Sequence, residues 1–155
     1  KRHVPATDQD LGLDFLGSPE DLPRVLRESD FISLHVPLTN ETRDLIGEME
    51  LKQMKPSAYL INVARGPIVN YQALYNALRS RSIAGAAFDV FWKEPADPED
   101  PIFALDNFIM TPHVAGFTDA TINPFTEVIS ENIRRFRRGE QLANVVNPTA
   151  VRKRM

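Results

Sequence analysis

AYLINVARGPIVNYQALYNAL, residues Ala58–Leu78, gives three local instructions in succession. Tyr59, Leu60, Ile61, Val63 and Ala64 form an apolar run of strand length. Arg65 then sets a charge at the end of that run, and Gly66–Pro67 turns the chain. From Tyr71 the period changes, and Ala73, Leu74, Ala77 and Leu78 fall on one face of a helix. The same alternation continues outward in both directions. Towards the N-terminus, SPEDLPRVLRES reads as a helix, with Ser18 as candidate N-cap, Asp21 three residues on, and Leu22, Val25 and Leu26 at helical spacing. DFISLHV is a short strand ended by Pro37, and GEMELKQM a short helix. Towards the C-terminus, IAGAAFDVF and DNFIMTP are strands. PFTEVISENIRRFRRG is a helix closed by Gly139, with Pro124 marking its first turn. Short apolar strands alternating with helices imply an α/β fold, a parallel sheet with helices on both faces.

The bulk composition narrows the function classes. The chain has 155 residues, 43% hydrophobic and 25% charged, with a formal net charge of −3. That is enough for one ordinary domain with a real core, and the balance gives no push toward nucleic acid or membrane. The basic cluster RRFRRG complements a helix C-terminus. No apolar run approaches a membrane span, and KRHVPATDQD lacks a signal-peptide core. There is no cysteine, so a disulfide framework and a thiolate metal site are excluded, and an intracellular, cytoplasmic location is expected. No metal site is expected at all. KEPADPEDP is a loop, no internal repeat is found, and the missing initiating Met suggests a piece of something longer.

In an open α/β sheet, ligands bind outside the carboxyl ends of the strands. The groups closing the four strands are His35 with Pro37, Arg65 with Gly66, Asp89 with Glu94, and His113 with Gly116. Each has a plain alternative. Arg65 could be a surface terminus held by an acid, Asp89 a turn cap, Glu94 solvated, His113 a packed histidine and His35 structural. Their joint occurrence at one edge is what packing alone does not require. Arg65 offers a rigid fork for a carboxylate or carbonyl oxygen. His113 exchanges a proton near neutral pH, and Glu94 can hold its imidazolium and raise its pKa. That set suits reduction of a 2-keto acid, with the hydride coming from a cofactor.

SDFISLHVPLTNETRDLI, MKPSAYLINVARGPIVNYQALYNAL, AGAAFDVFWKEP and NFIMTPHVAG resemble the successive signatures of the D-isomer-specific 2-hydroxyacid dehydrogenases, from about Ser29 to Gly116. The resemblance implies a Rossmann-like fold. It makes Arg65 the substrate-binding arginine, His113 the acid/base and Glu94 its partner. Asp89 would sit by the nicotinamide carboxamide. Val36, Pro37, Val63 and Ala64 would meet the cofactor with their backbone, and Thr42 would lie nearby. Ala115 and Gly116 would let the chain pass close to the nicotinamide. His35, Arg65 and His113 complete the implied cofactor contacts. Related formate dehydrogenases pair their histidine with Gln, so Glu94 argues against that activity.

The family's G-x-G-x-x-G loop is absent from the sequence, whose glycines stand at 12, 17, 47, 66, 85, 116 and 139. We therefore expect the C-terminal part of a dehydrogenase that binds cofactor poorly by itself. Residues 1–120 would be the second part of the dinucleotide-binding domain, and 121–155 a returning helix and tail packing on a substrate domain. Ser57 stands where Gly is usual. The cofactor is NAD or NADP, with KRH leaning toward NADP. The expected partner is a small 2-keto or 2-hydroxy acid, and the full-length protein is expected to be a homodimer. Other readings are a dinucleotide-sensing corepressor of the same family and, from the fold alone, a methyltransferase-like domain.

Overall fold

In the computed structural model, which describes residues 12–147, Ile32, Leu60, Ala86 and Phe108 stand side by side across four parallel strands. These strands are β1 (Phe31–Leu34), β2 (Tyr59–Asn62), β3 (Gly85–Phe88) and β4 (Phe108–Met110), ordered β1-β2-β3-β4. Successive side chains of a strand point to opposite faces, and that row lies on the buried face. Against it pack Leu26 of α1 (Leu22–Glu28), Leu51 of α2 (Glu48–Leu51), and Leu74 and Leu78 of α3 (Tyr71–Arg79). One apolar cluster therefore unites the helices and the sheet.

The sheet steps one strand at a time in one direction. Crossovers of one hand then bring their helices to the same face, and α1, α2 and α3 share one core there. Within this unit the other face shows Phe31 (68% exposed) and Ile109 (67%) to solvent. Phe31 stacks on Tyr59 with ring centroids 5.5 Å apart.

Local chemistry explains the helix starts. Asp21 accepts from the Ser18 N–H at 2.8 Å and from its hydroxyl at 3.2 Å, but it closes a 3-10 turn, Pro19–Asp21, and α1 begins only afterwards. Asn70 caps α3, accepting the Ala73 N–H at 3.0 Å.

The chain divides into two compact units, one ending at Val114 and the other beginning at Ala115. The second contains α4, Asp119–Arg137. Pro124 does not mark its first turn, as the sequence suggested. Thr118 and Thr121 form a capping box, with Thr118 N–H donating to Thr121 Oγ1 at 2.9 Å, so the helix starts a turn earlier and Pro124 lies inside it. That position costs the helix a main-chain hydrogen bond. Gly139, at φ 68, closes the helix as expected. The basic cluster is ion-paired: Arg135 and Arg138 reach Glu131 at 3.0 and 3.4 Å, and Arg138 reaches Glu140 at 2.6 Å.

Candidate active site

Parallel strands end at one edge, and within the first unit that edge gathers most of the polar residues singled out above. At the end of β2, Asn62 is fully buried. Its Oδ1 accepts the Ala64 N–H at 3.0 Å, and its Nδ2 donates to the Arg65 carbonyl at 2.9 Å. Arg65 is exposed, and its guanidinium donates to the Ala64 carbonyl at 2.6 Å. Gly66 begins a 3-10 turn, Gly66–Ile68. The space Gly66 leaves belongs to protein rather than ligand: a Cβ there would lie 2.2 Å from the Phe91 carbonyl carbon and oxygen.

The segment after β3 thus rests against the turn after β2. It is tied there by the Trp92 indole, which donates to the Val69 carbonyl at 2.6 Å. Two residues on is Glu94, whose Oε1 accepts the Phe91 N–H at 3.0 Å and whose Oε2 lies 2.8 Å from His113 Nδ1. The Phe91 bond, then the His113 bond, lower the Glu94 pKa below its ordinary value, with the His113 and Arg65 charges helping and burial opposing. His113 and Glu94 are 43% and 39% exposed, so the pair stands at the surface.

His113 adopts φ 57, the left-handed region that few non-glycine residues enter. Its neighbours hold it there. Asp89, nearly buried at the end of β3, accepts the Thr111 hydroxyl at 2.5 Å and the Val114 N–H at 2.9 Å through the same Oδ1. One carboxylate thus grips both flanks of the histidine turn. A cavity of about 720 Å³ opens beside it, lined mostly by apolar residues such as Phe91, Pro95, Phe103 and Met110.

The other expected site residues fall differently. His35 turns back onto its own strand, Nε2 lying 2.8 Å from the Ser33 hydroxyl. The Thr42 hydroxyl donates to the Pro37 carbonyl at 2.6 Å and closes that loop. Val36 is half-buried and Val63 37% exposed at their strand ends. Ala115 and Gly116 belong to the second unit, where the Gly116 carbonyl accepts the Thr121 hydroxyl at 2.7 Å. Among the described residues, a Cβ on Gly116 would meet nothing within 4 Å. Sequence reading passed over Asn62, Trp92 and Thr111. Asn62 alone left a signal, a polar residue inside an apolar strand.

A parallel α/β sheet with charged and polar groups gathered at its carboxyl edge defines the class of nucleotide-binding domains. The chain belongs to the family of D-isomer specific 2-hydroxyacid dehydrogenases, NAD binding domain, which matches residues 3–115. A glyoxylate reductase of Korarchaeum cryptofilum is 44% identical over 147 residues, covering 95% of this chain and 43% of the relative. The chain thus spans less than half the length of such relatives. The D-isomer specific 2-hydroxyacid dehydrogenase of Xanthobacter autotrophicus Py2, solved with NADPH and MES, is 43% identical with a TM-score of 0.65, covering 84% of this chain and 53% of that one. The NAD-complexed enzyme of Lactobacillus delbrueckii ssp. bulgaricus is 36% identical with a TM-score of 0.69, covering 81% and 42%.

Proposed function

We propose that the whole protein carrying this chain reduces 2-keto acids to D-2-hydroxy acids, using NAD(H) or NADP(H), and that this chain holds the acid/base pair and the carboxylate anchor. The observation that carries the proposal is the 2.8 Å contact of Glu94 with His113 Nδ1, on a carboxylate whose ionised form the Arg65 charge also favours. Nδ1 faces Glu94, so His113 exchanges its proton with substrate through Nε2. In reduction that proton goes to the carbonyl oxygen as it becomes a hydroxyl, and the ionised Glu94 complements the imidazolium. Arg65 binds the substrate carboxylate through its planar fork.

The residues present fit the nicotinamide side of a dinucleotide. Strand-end segments Val36–Pro37 and Val63–Ala64 would hold it, and Val63 keeps an apolar side chain 37% exposed there. When bound, the nicotinamide supplies the hydride. In this reading residues 1–120 are the second part of the dinucleotide-binding domain, and 121–155 return toward a substrate domain. Among the described residues no helix is long and apolar enough to cross a membrane. The proposal keeps the expectation of a cytoplasmic homodimer.

The test is the oxidation of NADH and NADPH by the whole protein, supplied with glyoxylate or larger 2-keto acids. We expect turnover, and a fall in kcat of about 10²–10⁴-fold in His113→Ala, the range of general acid–base catalysis. No turnover with any 2-keto acid, or an unchanged kcat in the variant, overturns it.

A further inference from the structure

We propose that Asn62 is a positioning residue for Arg65, setting the direction in which the guanidinium leaves the sheet. The inference rests on the function proposed above and deepens it. Asn62 is fully buried, so substrate cannot touch it, yet both ends of its amide are used on the next three residues. An amide has an acceptor at one end and donors at the other. Here the acceptor takes the Ala64 N–H and a donor meets the Arg65 carbonyl, so the side chain ties the Val63–Ala64 peptide to the Arg65–Gly66 peptide and brackets the Ala64–Arg65 segment between them. Rotating the amide by half a turn would set oxygen against oxygen and N–H against N–H. Only one orientation of the amide satisfies both partners.

The path is held from outside as well. Arg65 is extended at φ −151 and ψ 138, its carbonyl also accepts the Ile68 N–H at 3.2 Å, and Gly66 is packed against Phe91. The guanidinium in turn reaches back to the carbonyl of Ala64, the residue whose N–H Asn62 holds. A buried polar group can be replaced without harm to substrate unless something downstream depends on its geometry, and the exposed group downstream is Arg65.

A merely structural asparagine would lower stability and leave the site's chemistry unselectively damaged. A positioning one must act through Arg65 alone. The test is a double-mutant cycle in the whole protein with Asn62→Asp and Arg65→Lys, reading kcat/KM for a 2-keto acid, its pH profile and the Kd of oxalate as an unreactive dicarboxylate. Asn62→Asp keeps an acceptor for the Ala64 N–H and loses the donor to the Arg65 carbonyl. We expect kcat/KM to fall ~10- to 100-fold, the cost of a misplaced binding group, and oxalate binding to weaken with it. In the Arg65→Lys background the same change should cost less than about twofold. The midpoints of the pH profile should stay in place, because the Glu94–His113 contact does not involve Asn62. Equal losses in both backgrounds, or a moved pH profile, overturn the positioning role. Wild-type kinetics in Arg65→Lys overturn the underlying reading of Arg65 itself, and the positioning role with it. If circular dichroism shows Asn62→Asp unfolded, Asn62→Ser carries the same cycle.

Discussion

Glu94 uses one carboxylate for two partners, the Phe91 N–H on Oε1 and His113 Nδ1 on Oε2. Both bonds favour the ionised form, the Phe91 bond most, and its pKa lies below the ordinary 4.5. A depressed folded pKa means stabilisation that is full above the unfolded value and lost as pH falls through the folded one. Both side chains are more than a third exposed, so solvent screens the contribution and keeps it small. Melting Glu94→Gln beside the unaltered chain should therefore show a constant difference in Tm from neutral pH down to about 4.5, closing as the medium becomes more acid. A difference that stays flat through that acid range shows that the carboxylate is not bonded as described. His113 is governed by its neighbours in a different way. Its left-handed backbone follows from the grip of Asp89 on Thr111 and Val114, a fact no property of the histidine itself announces.

Elements meet closely where the turn after β2 touches the segment after β3. Trp92 stacks on Phe88 with centroids 5.4 Å apart, meets Tyr71 edge-on at 5.0 Å and donates to Val69. Tyr71 in turn donates to Asp100 at 2.5 Å, and burial, followed by that bond, pushes its phenol above the ordinary range. Gly66 sits inside this junction. Gly66→Ala places its Cβ 2.2 Å from the Phe91 carbonyl and 2.6 Å from the Trp92 nitrogen, which are backbone atoms with no rotamer to yield. The expected cost is about 1–3 kcal/mol, as for other overpacked sites, measured by urea unfolding of the chain. An unchanged midpoint would falsify the close approach. The order of strands and helices was legible from the sequence at this scale because each is set by local periodicity. The start of α4 was missed because Pro124 looked like a first-turn residue, whereas the Thr118–Thr121 capping box begins the helix earlier.

At the scale of the chain, the described residues of the first unit present a four-stranded parallel edge carrying a carboxylate-backed histidine and an arginine, and none of the glycines in the sequence stands in a phosphate-binding pattern. A dinucleotide owes much of its affinity to pyrophosphate contacts at a glycine-rich helix start. This chain alone should therefore bind NADH and NADPH at least ~100-fold more weakly than the whole protein, the worth of one or two hydrogen bonds to a charged group. Titration of both by isothermal calorimetry checks this, and equal affinities overturn it.

The sequence by itself determined the parallel α/β class, the family and the exposed polar groups that follow the strands, because periodicity, strand ends and ordered motifs are properties of the chain read in one dimension. It also named both members of the Glu94–His113 pair. Only the tertiary structure decided that Phe91 claims the other oxygen of Glu94, that Asp89 holds the histidine turn, that Gly66 makes room for backbone, and that a buried asparagine braces Arg65. Those assignments depend on which strand ends lie side by side and on distances of a few ångströms across the sheet. Such distances arise from packing between segments far apart in sequence, and no local pattern encodes them.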